Sequence, residues 1–193
     1  MTEEVSDFIF KIIAVGDASV GKTSLTQRYA TSRFLDDYRM TLGMNLITKN
    51  LTLETKRIQL AIWDTGGQAA FEPLIPMYYR GALGALVVYD ITNEKTFKSV
   101  EKWISDIKQH CDEIPIVIIG NKKDLGDNIA ISTEKGEKLF NSIRDKWSKS
   151  VAFYEASAKE DLGVSDAFIS LAESILETID EDEEDDLVFE GLI

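Results

Sequence analysis

A chain of 193 residues, 44% apolar and 28% charged, suits one domain with a full-sized core, and its formal charge of −13 removes the basic footprint that a nucleic-acid binder needs. Nine of the negative charges, with no base among them, fall at 177–193, so the body is close to neutral and the end would be repelled by anionic lipid. A single cysteine, Cys111, excludes an internal disulfide framework and a Cys-rich zinc site; with an acidic "MTEEVSD" start and no apolar run of membrane-spanning length, a cytoplasmic protein is expected.

After an extension at 1–7, "FIFKIIAV" (8–15) reads as a buried strand, and "GDASVGKT" (16–23) follows it and opens an amphipathic helix. That context makes the glycine-rich stretch a phosphate-binding loop. Gly16 and Gly21 let the backbone curl its N–H groups inward, Lys22 supplies a charge for the β and γ phosphates, and Thr23 a hydroxyl for Mg²⁺. "MNLITKNLTL" and "KRIQLAIWD" are two strand-like runs joined by a few polar residues, hence a hairpin that makes the sheet mixed. Ile58, Leu60 and Ile62 then share one face and Gln59, Ala61 and Trp63 the other, leaving Trp63 either an exposed anchor or a residue covered by a helix.

"ALVVYD" is the next strand, followed by a helical stripe at Val100, Trp103, Ile104 and Ile107 whose natural reading is core packing. The strand "PIVIIG" runs into "NKKD" (121–124). There Asp124 can accept from both N1–H and the exocyclic amine of guanine; adenine has no such donor pair, so selectivity on the order of 10⁴ is attainable. A stripe at Leu139, Phe140, Ile143 and Trp147 precedes the strand "VAFYEA", which leads into "EASAK" (155–159), and a last stripe runs through Val164, Phe168, Leu171, Ile175 and Ile179. Alternating strands and helices of this kind give an α/β domain with a mostly parallel sheet. The seven consecutive acids at 180–186 predict a solvated, extended segment, and "LVFEGLI" beyond them an apolar tip.

The loop at 16–23, "WDTGGQ" (63–68), "NKKD" and "EASAK", in this order, resemble the Ras superfamily of small GTPases across residues 8–179, and "YYRGALGALVVYDIT" with "VEKWISDI" is most similar to the Rab family. The resemblance implies a six-stranded mixed sheet with helices on both faces. It implies that Asp17, Ala18, Ser19, Val20, Gly21, Lys22, Thr23 and Ser24 line the phosphates, with Phe34 and Tyr38 alongside the nucleotide. Asn121 would tie the base loop to the phosphate loop, and Lys122, Asp124, Ser157, Ala158 and Lys159 would surround the guanine. Mg²⁺ would be held by Thr23, Thr41 and, through water, Asp64, while the N–H of Gly67 touches the γ-phosphate.

For turnover the resemblance assigns Gln68 to the attacking water, with Lys22, Thr41 and Gly67 neutralising charge. Phosphoryl transfer through a loose transition state needs little more than this. The position where an arginine in cis would stand is Tyr38, so a slow enzyme dependent on an activating protein is expected. Gly66 replaces the usual alanine, Ala69 the usual acid, and Leu46 an aromatic that in Rab proteins groups with residues matching Trp63 and Tyr78, which predicts a reshaped effector surface. No prenylation cysteine closes the sequence, so no lipid anchor is expected. The expected function is a monomeric GTP-binding switch in signalling or trafficking, with effectors, an exchange factor and an activator as partners. A nucleotide-locked scaffold with negligible turnover is the alternative. A nucleotide kinase would need an arginine cluster that six scattered arginines do not form.

Overall fold

Strand β1 (Phe8–Val15) is the innermost of the apolar runs, and the hairpin β2 (Met44–Leu53) with β3 (Lys56–Thr65) lies to one side of it. β4 (Gly84–Asp90), β5 (Ile116–Asn121) and β6 (Val151–Glu155) lie to the other, giving the order β2-β3-β1-β4-β5-β6. Only β2 and β3 pair antiparallel; the remaining neighbours are parallel. The computed structural model describes residues 6–34, 41, 43–66 and 74–190, of which 75 and 182–190 by backbone alone.

β4 and β5 are buried along their whole length, as continuous apolar runs require when helices cover both faces. The hairpin instead alternates: Ile58, Leu60 and Ile62 are fully buried, whereas Gln59, Ala61 and Trp63 are half-buried. Leu53 pairs with Lys56, so Glu54 and Thr55 alone make the turn, with Glu54 at a left-handed φ of 53°.

Among the described residues six α-helices sandwich this sheet: α1 (Lys22–Thr31), α2 (Ile75–Tyr79), α3 (Glu94–Lys98), α4 (Val100–Cys111), α5 (Thr133–Arg144) and α6 (Val164–Glu190). On one face Phe10, Ile12, Leu60 and Ile62 pack with Leu25 and Tyr29 of α1 and with Phe168 and Leu171 of α6. On the other, Ile13, Val87 and Tyr89 meet Tyr79 of α2 and Trp103, Ile104 and Ile107 of α4, with Leu139 and Ile143 of α5 half-buried at the margin. The fold expected from the resemblance is the observed one. No helix among the described residues is long and apolar enough to cross a membrane.

One expectation differs. The acidic run, read from its charge as extended chain, continues α6 without a break as far as Glu190. The stripe from Val164 to Leu176 is held in the core, so the costly helix nucleus exists before the acids are reached. Lys56 at the hairpin turn then pairs with Asp180 at 2.7 Å.

Candidate functional site

The carboxyl ends of β1, β3, β4, β5 and β6 open on one edge of the sheet, and the ends and following loops of these strands carry most of the described residues singled out from the sequence for nucleotide or metal. β1 ends at Val15, and the chain curls through 16–21 into α1. Two positions in that curl admit only glycine: a Cβ on Gly16 (φ 141°) would lie 2.2 Å from the Val88 carbonyl oxygen, and one on Gly21 (φ 98°) 2.3 Å from Asn121 Nδ2. Ser19 between them holds a left-handed φ of 66°. The helix therefore starts with its free N–H groups facing the curl, the arrangement that receives anions.

Lys22 is buried at 5% exposure and donates from Nζ to the carbonyl oxygens of Gly16 and Asp17, both at 2.8 Å. Burial pushes its pKa down to about 8, although the carboxylates of Asp64 and Asp17 pull it back up. The next residue joins three segments of the chain: Thr23 Oγ1 donates to Asp64 Oδ2 at 2.6 Å and lies 2.7 Å from Thr41 Oγ1. Its one proton goes to the carboxylate, so Thr41 donates to Thr23. Asp64 is fully buried; burial lifts its pKa to about 6 against the opposing Thr23 bond and Lys22 charge, and its Oδ1 has no hydrogen-bond partner.

Two hydroxyls and one carboxylate with an orphaned oxygen are a hard-oxygen set that fits Mg²⁺, and the free Oδ1 would accept a hydrogen bond from a water on the ion. The three residues expected to hold the metal are thus together.

At the base end, Asn121 Nδ2 donates to the Val20 carbonyl at 2.8 Å, fastening the "NKKD" turn to the phosphate loop. Its Oδ1 accepts from the Ala158 N–H at 3.3 Å. Lys122 takes a left-handed φ of 73° and its ammonium pairs with Asp90 Oδ2 at 2.6 Å. Burial would raise the Asp90 carboxyl, but the bonds from Lys122 and Thr92 outweigh it and hold the pKa below the usual value. Asp124 accepts at Oδ1 from the fully buried Ser157 hydroxyl at 2.6 Å, which orients its carboxylate. Lys159 is exposed, Ser24 is half-buried within α1, and Phe34 is half-buried beyond the end of that helix.

Several participants carry no local sequence signal. Arg28 of α1 donates from Nε to the Ala158 carbonyl at 2.8 Å and from a terminal nitrogen to that of Lys159 at 2.9 Å, with its guanidinium 5.9 Å from the Phe34 ring centre. Lys123 and Thr133 both bond the Glu155 carboxylate, tying the 3₁₀ turn Lys123–Asn128 to β6 and α5. The side chain of Asp17, expected from the sequence to line the phosphates, is directed at Ser99 and Trp103. Trp103, read as packing, is that and a hydrogen-bond donor as well.

Tyr38, Gly67 and Gln68 lie outside the described residues. Of the expected apolar patch, Leu46 pairs across the hairpin with Trp63 and is 50% exposed. Trp63 is half-buried, with the Lys11 ammonium 3.9 Å above its ring, while Tyr78 is buried at 7% in the core beneath α2 and Met77 is exposed instead.

A model of the Ras family matches residues 11–177. The chain is 40% identical over 171 residues to Ras-related protein Rab-8B of Bos taurus, covering 88% of this chain and 80% of that protein. It is 39% identical over 177 residues to Ras-related protein Rab-10 of Caenorhabditis elegans, covering 91% and 85%. Against Ras-related protein Rab-8A of Pongo abelii the figures are 39% over 175 residues, 90% and 82%.

Proposed function

The chain belongs to the Ras family of small GTPases, and from that premise we propose that it is a guanine-nucleotide switch that hydrolyses GTP slowly, with Mg²⁺, and is read by GTP-dependent effectors. The observation that carries this reading is the meeting of Thr23, Thr41 and Asp64 beside the Lys22 ammonium. Thr41 and Asp64 come from the two segments that would respond to the γ-phosphate. Residues that bond to one another there have a common reason to move when that phosphate leaves.

The residues divide the work. Lys22, released from the Gly16 and Asp17 carbonyls, binds β and γ oxygens, and the N–H groups of 18–23 receive the remaining charge. Thr23, Thr41 and Asp64 would hold Mg²⁺, which neutralises charge between the β and γ phosphates. Asp124, set by Ser157, selects guanine; Lys122, set by Asp90, flanks the base; Gln68 orients water and Gly67 contacts the γ-phosphate. With Tyr38 rather than arginine three positions before Thr41, a partner's arginine would add roughly 10³ to 10⁵ in rate, the range known for related GTPases. An exchange factor and an activating protein are the partners this implies, and signalling or trafficking is the setting that the family resemblance supports.

The test is phosphate release under single turnover with Mg²⁺. We expect slow release from GTP and none from ATP, with Gln68→Leu keeping nucleotide affinity and losing most of the hydrolysis. Absence of any turnover by the wild type, with GTP tightly bound, would favour the nucleotide-locked scaffold.

A further inference from the structure

The phosphate loop is fastened from outside as well as from within. Asp17 is the second residue of the loop, and its carboxylate turns away from the side where phosphates are received. Oδ2 accepts from the Ser99 hydroxyl at 2.8 Å and Oδ1 from Trp103 Nε1 at 2.8 Å, so both oxygens are engaged by one short stretch at the start of α4. Turned inward, this anion would stand against the phosphates; turned outward, it meets two neutral donors. The two donors are themselves fixed. Ser99 links α3 to α4, with its N–H bonded to the Lys95 carbonyl, and Trp103 is 8% exposed in the core beneath the sheet.

We propose that Ser99 and Trp103 are positioning residues for nucleotide retention: through the Asp17 carboxylate they hold the first limb of the phosphate loop in its receiving shape. This rests on the guanine-nucleotide reading above. The limb needs such support because its backbone is unusual, with positive φ at Gly16, Ser19 and Gly21. Lys22 is a weaker support in the loaded protein, since two of its three ammonium protons serve the Gly16 and Asp17 carbonyls and phosphate oxygens would compete for them. Asn121 secures the far end at Val20, and Asp17 secures the near end. Release of a nucleotide requires the limb to open, and opening is easier once the near end is free. A surface on α3 and α4 thereby acquires leverage over the lifetime of the bound state.

The experiment loads the full chain with a fluorescent GDP analogue and follows its release into excess GDP with Mg²⁺ present, alongside thermal unfolding. Trp103→Phe keeps the ring and loses the donor, and Ser99→Ala loses the hydroxyl. Each should release the analogue roughly tenfold faster or more, the effect of one lost hydrogen bond to a carboxylate. Asp17→Ala should be faster again, and adding Trp103→Phe to it should change nothing further, because the shared partner is gone. Ser99→Thr, which retains the hydroxyl, should restore slow release. If Trp103→Phe does not fold, the half-buried Ser99 variants carry the test alone. Variants that unfold at lower temperature yet release at the parental rate would overturn the proposal and leave the bonds merely structural, as would full additivity of Asp17→Ala and Trp103→Phe. A wild type that holds no guanine nucleotide would overturn the nucleotide reading and this inference together.

Discussion

Asp64 is held where a carboxylate is hardest to keep charged, and that burden falls on the fold whenever no cation shares it. Its pKa is raised to about 6 from an unfolded value of 3.8, so its contribution to stability is fully present below pH 3.8 and lost as pH rises through 6. Metal-free protein should therefore gain about 1 kcal/mol of stability when pH falls from 7 to 5, seen as a rising thermal midpoint in chelator. Mg²⁺ with nucleotide should flatten that dependence; an unchanged slope would separate Asp64 from the metal. Lys22, with a pKa lowered to about 8, titrates above this window and does not interfere. At the base, Ser157→Ala removes the hydroxyl that donates to Asp124 at 2.6 Å. A hydrogen bond to a charged group contributes about 1.5 to 3 kcal/mol, so competition binding should show GDP affinity falling roughly ten- to a hundredfold, with discrimination against ATP falling too. Gly16, Gly21, Lys22 and Asn121 were legible because each acts through its own residue type at a fixed place in a short segment. Arg28, Ser99 and Trp103 were not, since their partners stand 82 to 131 positions away and nothing adjacent marks them.

At the scale of elements, apolar continuity and alternation were enough to place all six strands, and the stripes of α4 and α6 matched their buried faces. Helix α5 was less well specified. Its stripe is only half-buried, and its one buried residue is Gly136, where a Cβ would approach Phe153 Cζ to 2.6 Å and the Tyr89 hydroxyl to 2.9 Å. Gly136→Ala sets two effects against each other. Alanine gains about 1 kcal/mol of helix propensity, while overpacking between a helix and a sheet costs about 1 to 3. Both neighbours are rings in the core rather than mobile chain ends, so the clash should win, and chemical denaturation should find the variant destabilised by about 1 kcal/mol. A stabilised variant would show that α5 can slide outward. The acidic segment was misread because charge was weighed alone. Like charges one turn apart cost only a few tenths of a kcal/mol each, and Glu is a good helix former.

For the molecule as a whole, the core contacts end at Ile179, and we propose that the domain boundary lies there. Truncation after Ile179 removes the Lys56–Asp180 pair, whose partners are 32% and 47% exposed; such a pair is worth about 0 to 1 kcal/mol, or a few degrees of thermal midpoint. Nucleotide affinity should be unchanged, and neither form should sediment with anionic vesicles. Loss of nucleotide binding on truncation would move the boundary outward; vesicle binding by the full-length chain without a partner would overturn the electrostatic account. Loss of a salt-sensitive partner would instead identify the segment as a docking peptide, and no loss as an inert extension. The same helix also has a mechanical meaning. At 1.5 Å per residue its 27 residues form a rod of about 40 Å, rooted near "EASAK" and braced at Asp180 against the hairpin turn. A pull on its outer end is met first by that brace, at the edge of the sheet opposite the phosphate loop. Tension applied there would strain the hairpin before it reached the nucleotide, so the rod could serve as a handle without becoming a trigger.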